Sequence, residues 1–264
     1  MTATTTQRFA LTEAQVSAYS HDGYIHLPKV FTQGEADDLR RESHELIERL
    51  TRTQSVDATW ASARDIGMGM DTSLLHCHNV QFQSAAFTRL ICDPRLVDPV
   101  ADLIGPNVQL HHTKMFIKPP EKGSPFPMHQ DHPFFPHERH TMLAAIIFFD
   151  DAPIEKGCVR VVPGSHKLGP LEHDATGSYH LSPEEYSVEN ATPVEAAAGD
   201  VLIFSYLTIH GSGVNRSSEA RTTLLVQMRD PEDPPTVETH VSRGQGMMLR
   251  GVAPQGKNST GIDE

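Results

Sequence analysis

The sequence predicts a mainly β protein, a sandwich or barrel of short strands preceded by a helix-rich segment. Three observations carry this reading. Across residues 108–228, short runs rich in β-branched and aromatic residues alternate with Gly, Pro, Asn and Asp, the spacing of an all-β sandwich or barrel rather than of βαβ units. Before residue 105, apolar residues recur at helical intervals instead. No glycine-rich phosphate loop joins a strand to a helix, so dinucleotide and P-loop readings are dropped. At 264 residues the chain is long enough to bury a sizeable core without disulfides.

The elements follow in order. Leu11 precedes Thr12-Glu13-Ala14-Gln15, the form of a capping box with a staple residue ahead of it. The helix that it opens should end at the Asp22-Gly23 turn, and Tyr24–Leu27 then reads as a short strand closed by Pro28. Thr32 caps a longer helix to about Arg52, with Ala36, Leu39, Ser43, Leu46, Ile47 and Leu50 on one face. Residues 53–73 show no period and read as loop. Pro94 opens a helix whose apolar face is Leu96, Val100, Leu103 and Ile104, and Gly105-Pro106-Asn107 stops it. Strands are expected over 108–118, 142–149, 159–162, 201–204 and 222–228. From about Asp230, Pro231, Pro234 and Pro235 break regular structure, and the polar, Gly-rich stretch from Arg250 reads as a mobile tail. The expected organisation is one domain over residues 1–250, helical at about 10–105 and β at about 108–229, with a flexible tail at 251–264.

Composition narrows the function classes. Lys+Arg number 22 against 34 Asp+Glu, a formal charge of −12, which suits neither a phosphate backbone nor an anionic membrane surface. No run of about 18 apolar residues is present, the first residues lack the apolar stretch of a secretory signal, and Gly261-Ile262-Asp263-Glu264 carries no lipidation or peroxisomal signal. Cys77, Cys92 and Cys158 are widely spaced with no CxxC, ordinary reduced usage. The expectation is a cytoplasmic protein acting on a small molecule, with no nucleic-acid or membrane partner and its oligomeric state open. The 16 histidines raise metal and acid–base chemistry, and position decides between these and a merely His-rich surface.

The chemistry centres on Met128-His129-Gln130-Asp131. In an extended segment residues i and i+2 face the same way, so His129 and Asp131 can reach one metal ion while Gln130 points away. His210 ends an apolar run before a Gly-rich turn, Gly211-Ser212-Gly213, and can supply a third ligand from a distant strand. Two His and one carboxylate on one side of a metal form the facial triad of non-haem Fe(II) oxygenases, with the other face open. Arg221, across the next hairpin, can clamp the far carboxylate of a dicarboxylate bidentately, and Ser212 can add a hydroxyl. These pieces fit 2-oxoglutarate. Arg216 and Arg229 are rival clamps, disfavoured because one lies in a turn and the other at the far strand end. Each part alone has a bland reading: a surface turn for His129 and Asp131, a buried carbonyl-bonded histidine for His210, an edge charge for Arg221. The combination favours the metal.

Other residues are weighed the same way. His76-Cys77-His78 matches no zinc-ligand spacing. His111 and His112 fall on opposite strand faces, so at most one enters the barrel. His132, His137 and His140 either touch substrate or form a solvated loop. Phe134-Phe135 either roofs the site or fills the core. Pro163-Gly164-Ser165-His166 reads as a turn.

These motifs resemble the phytanoyl-CoA dioxygenase family of Fe(II)/2-oxoglutarate oxygenases. The matching text is Ile117-Lys118-Pro119-Pro120, Met128-His129-Gln130-Asp131, Lys156-Gly157-Cys158, Val162-Pro163-Gly164-Ser165-His166-Lys167, Gly199-Asp200, and His210-Gly211-Ser212-Gly213-Val214-Asn215 with Arg221, over about residues 12–229. The resemblance implies a double-stranded β-helix (a cupin-like jelly roll) flanked by N-terminal helices. It implies His129, Asp131 and His210 as iron ligands, Arg221 and Ser212 as 2-oxoglutarate contacts, and Lys114 as a strand residue facing the cosubstrate. Two departures touch the pocket wall: Ile146-Ile147 stands where the name-giving members have an aromatic residue, and their upstream Lys is replaced near His78-Asn79. Asp131 argues against the halogenases of this type, which lack that carboxylate.

The expected activity is oxidation of an unactivated C–H of a small molecule, by hydroxylation or oxidative cyclisation. It would use Fe(II), 2-oxoglutarate and O2 and release succinate and CO2. His-rich loops suggest a polar or sugar-bearing natural-product intermediate. An acyl-CoA is disfavoured by the charge of −12. The alternatives are a non-redox metallohydrolase or isomerase using the same triad, which would not need Arg221, an acyl-CoA hydroxylase within the same family, and a jelly-roll binding module without turnover.

Overall fold

The structure is a computed structural model that describes residues 8–53, 58–62 and 72–254. Helix α1 (Glu13–Asp22) begins with the reciprocal capping box expected at Thr12 and Gln15 and ends at Gly23, with φ +82°. Only glycine suits that turn, because an added Cβ would fall within 2.8 Å of His166 and Thr208 side chains. Strand β1 (Tyr24–Leu27) follows. Helix α2 (Gln33–Arg52) starts with a second reciprocal box, Thr32 with Glu35, and buries Ala36, Ser43, Leu46, Ile47 and Leu50. The one polar residue on that face, Ser43, donates its hydroxyl to the Leu39 carbonyl.

The segment read as loop differs. It contains β2 (Ala58–Ser62) and runs into β3 (Ser73–His78), while residues 54–57 and 63–71 lie outside the described residues. Neither strand has an alternating apolar pattern in the sequence; pairing with a longer strand supplies the order instead. Helices α3 (Ala85–Ile91) and α4 (Pro94–Ile104) come next, the latter with Pro94 in its first turn and Asp93 as cap.

The remaining strands are β4 (Val108–Lys118), β5 (Phe126–His129), β6 (Leu143–Phe148), β7 (Val159–Val161), β8 (Thr192–Val194), β9 (Val201–Ser205), β10 (His210–Ser212), β11 (Arg221–Arg229) and β12 (Met248–Arg250). They form an eight-stranded sheet in the order β1-β9-β6-β11-β4-β3-β2, with β12 added beside β4, and a four-stranded sheet in the order β5-β10-β7-β8. These two antiparallel sheets make the jelly roll. Strand β12 stands where the tail was expected to begin: Arg250 is bonded to Asp98 and to the Pro106 carbonyl. Residues 255–264 lie outside the described residues. No described helix is long and apolar enough to cross a membrane.

Strand β6 explains the uninterrupted apolar run. Its Leu143, Ala145 and Ile147 pack with the helices, beside Leu46, Phe87, Leu96 and Val100. Its Ala144, Ile146 and Phe148 pack between the sheets, beside Cys158, Val161 and Phe204. A strand covered on both faces has no polar side to display.

A buried carboxylate ties the start of the described chain down. Asp102 of α4 accepts the backbone amides of Phe9, Ala10 and Leu11 at 2.7–2.8 Å. Replacing it orphans these donors and releases Leu11 from the core. Asp102→Ala should cost about 2–3 kcal/mol. Urea denaturation measures this, and a loss under about 0.5 kcal/mol, the range of a surface substitution, would show the clamp to be idle.

Candidate active site

His129 ends β5, and the chain then turns: Asp131 takes an α conformation and starts a 3-10 turn over His132–Phe134. His210 opens β10 and pairs directly with His129 across the small sheet. The two rings lie 4.3 Å apart. Asp131 Oδ1 is 3.7 Å from Nε2 of His129 and 3.7 Å from Nε2 of His210. One ligand atom from each of the three lies within 4.8 Å of the others, and among the described residues no other group of three His, Cys, Asp or Glu does this.

The donor set fits a divalent metal. Each histidine engages a backbone carbonyl through Nδ1, His129 that of Pro127 at 2.8 Å and His210 that of Thr208 at 3.0 Å. That fixes the proton on Nδ1 and turns an Nε2 lone pair toward Asp131. Burial pushes the His210 imidazolium down to about 4, leaving the neutral form a ligand requires. Burial alone would raise the Asp131 carboxyl, but His210, His129 and a bond from Gln227 hold it below its usual value. Gln130 points away as expected; its side chain bonds the Leu207 and Gly169 carbonyls and the Leu171 amide.

Gln227 was not anticipated. Its Nε2 donates to Asp131 Oδ2 at 2.6 Å, which leaves Oδ1 to face the histidines. Residues 221, 223, 225 and 227 of β11 all line the cavity beside the triad, while Leu224, Val226 and Met228 enter the helix-side core. The parity of Arg221 was the available signal. Gln227→Leu should weaken metal binding by roughly 10–100-fold. Titration with Co(II) reads this directly, and unchanged affinity would assign Gln227 to packing alone.

Arg221 opens β11, is buried, and lines the same cavity. One guanidinium nitrogen donates to the Gly157 carbonyl, Nε has no partner, and among the described residues no carboxylate forms an ion pair with it. Burial lowers its pKa to about 10, so it remains a cation. Ser212 Oγ, also on the cavity wall, accepts from Lys118 Nζ at 2.7 Å. Lys118 pairs with Arg221 in register and is fully buried; burial and Arg221 push its ammonium well below the usual range. Sequence reasoning passed over Lys118 as a site residue, although it lies in a quoted motif. Of the rivals, Arg216 is exposed and Arg229 donates to the Asp233 carbonyl; neither lines this cavity.

Lys114 lines the cavity too. Its ammonium lies 5.1 Å from the Phe116 ring centre. Burial lowers it to about 8, against the pull of Asp131. His76 faces the cavity while Cys77 enters the helix-side core, and burial drives the His76 imidazolium down to about 2. Ile146 forms part of the wall, and Phe134 and Phe135 close one side. Phe135 also packs on Met142, Tyr206 and Leu207, so roof and core are the same residue. Ser178, Tyr179 and His240 join from loops whose sequence carried no signal.

Only His112 of the pair His111 and His112 lines the cavity, in line with the expectation that at most one would enter the barrel, but the expected opposite facing of the two is corrected. His111 is the extra residue of a β-bulge in β4, since Gln227 and Met228 pair with His112 and Leu110. The bulge breaks strict alternation. The two rings therefore meet, with their Nδ1 atoms 2.7 Å apart, and both pack near Phe135 and His240. Of the two readings left open for His132, His137 and His140, substrate contact is not supported, because none of the three lines the cavity. His132 and His140 pack on Tyr206, and His137 packs on His111. Ser165 and His166 belong to a turn, as expected: Ser165 Oγ accepts the Ile209 amide.

Comparison with known proteins agrees. The sequence profile of phytanoyl-CoA dioxygenase matches residues 19–223. A probable alpha-ketoglutarate-dependent hypophosphite dioxygenase of Stutzerimonas stutzeri is 32% identical over 167 residues, covering 60% of this chain and 58% of that protein's length. Ectoine dioxygenase of Bordetella parapertussis is 26% identical over 246 residues, covering 85% of this chain and 77% of its own. Among solved structures, the non-heme alpha ketoglutarate dependent carbocyclase SnoK from nogalamycin biosynthesis superposes with a TM-score of 0.70 at 21% identity, over 90% of this chain and 93% of that one. The chain belongs to the phytanoyl-CoA dioxygenase family of Fe(II)- and 2-oxoglutarate-dependent oxygenases.

Proposed function

We propose that this protein oxidises an unactivated C–H bond of a polar small molecule, by hydroxylation or oxidative cyclisation, with release of succinate and CO2. In this reading His129, Asp131 and His210 hold Fe(II), and Arg221 and Ser212 hold the far carboxylate of 2-oxoglutarate. The observation that carries it is the pairing, in one cavity, of a three-ligand cluster with a buried guanidinium that lacks an anionic partner. A hydrolase or isomerase built on the same triad has no use for that guanidinium.

The residues divide the work. The two carbonyl-bonded histidines and Gln227 hold the donor atoms in place before any ligand arrives. Arg221 and Ser212 fix the orientation of the cosubstrate. Phe134, Phe135 and Ile146 keep bulk water from the reacting face. Iron with 2-oxoglutarate supplies the activation of O2 when bound. A natural-product intermediate fits the polar wall of His76, His112 and Tyr179. The loop histidines give no support to a sugar-bearing substrate, since they pack on Tyr206 and His111 instead.

The test is succinate formation. Iron-loaded protein should consume 2-oxoglutarate and O2 and yield succinate. A chelator should abolish this, added Fe(II) should restore it, and Zn(II) should not. Turnover with Zn(II) and without 2-oxoglutarate would favour the hydrolase.

A further inference from the structure

The cavity has two cationic regions. At one, Arg221 lines the wall beside Ser212, while its in-register partner Lys118 is fully buried and outside the lining. At the other, Lys114 lies opposite Leu225, four residues and about 13 Å along the strand from Lys118. An aromatic partition stands between them. The Phe116 and Phe126 rings meet edge to face at 5.3 Å, with Lys114 over Phe116 at 5.1 Å and Lys118 over Phe126 at 5.6 Å.

Lys114 differs from Lys118 in lacking any acceptor. Lys118 donates to Ser212 Oγ and the Gly213 carbonyl. Among the described residues, nothing accepts a hydrogen bond from Lys114 and no carboxylate lies within ion-pair distance. The carboxylate that it senses, Asp131, is already engaged by the two histidines and Gln227. Its neighbours are imidazoles. His76 meets the Phe116 ring edge to face, and His112 lies on the same strand; burial keeps both neutral. They can donate N–H but offer no negative charge. Lys114 is half-buried on the cavity wall, and an ammonium there with no counter-charge of its own can pair with one that the ligand brings.

We infer that Lys114 anchors an anionic group of the substrate, a carboxylate or phosphonate, apart from the cosubstrate carboxylate at Arg221. This deepens the oxygenase reading above and names a substrate class: small molecules with one oxyanion group at one end and the target C–H beyond it. It also reassigns Lys114 from the cosubstrate-facing role that the family resemblance implies.

The experiment is calorimetry on protein loaded anaerobically with Fe(II) and saturating 2-oxoglutarate, so that the Arg221 region is filled. The probes are cyclopentanecarboxylate, cyclopentylphosphonate and the neutral cyclopentanecarboxamide. At least one anion should bind about tenfold or more tighter than the carboxamide, and the tighter anion identifies the group. Lys114→Met should abolish that preference while leaving 2-oxoglutarate affinity within about threefold, which also shows that the variant folds. Lys114→Arg should retain the preference. Equal binding of the carboxamide, no saturable binding of either anion, or a preference that survives Lys114→Met would overturn the inference. So would a loss of 2-oxoglutarate affinity in Lys114→Met as large as in Arg221→Met. If wild-type protein binds no 2-oxoglutarate, the oxygenase reading fails separately. The anion preference and its loss in Lys114→Met, read on protein without cosubstrate, then decide the role of Lys114.

Discussion

Arg221→Ala should raise the 2-oxoglutarate concentration for half-saturation by roughly 100-fold or more, and leave metal affinity nearly unchanged. Two charge-assisted bonds from one guanidinium to a carboxylate contribute about 1.5–3 kcal/mol each, and about 1.4 kcal/mol is a factor of ten. The buried setting places the effect toward the upper part of that range, because solvent cannot replace the lost donors. The guanidinium is held by the Gly157 carbonyl and strand pairing rather than by an acid, so its charge remains available to a ligand. The triad is built from other strands, β5 and β10 with the turn at Asp131, and should bind metal as before. Equilibrium titration of 2-oxoglutarate into metal-loaded protein makes the comparison. An effect below about threefold, less than 1 kcal/mol, would remove Arg221 from the cosubstrate site.

His129→Ala or His210→Ala should be more severe: loss of bound iron at working concentrations, and turnover reduced by at least about a thousandfold. Each histidine supplies one of three donors, and its Nε2 is directed by a bond at Nδ1. With one removed, a single histidine and Asp131 remain, and the carboxylate keeps only one imidazole facing Oδ1. His210 packs on Phe204 of the inter-sheet core and His129 on the half-buried Phe134, so His129→Ala is the variant expected to disturb packing less. Metal analysis after desalting, with far-ultraviolet dichroism as the folding control, reads the result. Iron retained at full occupancy in either variant would place the metal elsewhere.

Much of this could be read from the sequence because it is written locally. Both capping boxes, the proline at the start of α4 and the apolar run of β6 are properties of a few neighbouring residues. His129 and Asp131 are two apart, and His210 is marked by the turn after it. What escaped depends on pairing at a distance. Strands β2, β3 and β12 are ordered by β4 and its neighbours rather than by their own composition. Gln227 reaches Asp131 only because β11 lies between β4 and β6. Lys118 meets Ser212 only once the two sheets face each other. A single bulge at His111 was enough to bring together two side chains that alternation had kept apart.

The most direct measurement is anaerobic. Fe(II) and then 2-oxoglutarate are added to metal-free protein, and the visible metal-to-ligand charge-transfer band of a chelated keto acid is followed. The band should form in wild-type protein, be absent in His129→Ala, and require far more 2-oxoglutarate in Arg221→Ala. No band despite bound iron, or a band whose 2-oxoglutarate dependence is the same in Arg221→Ala, would contradict the site proposed for this protein.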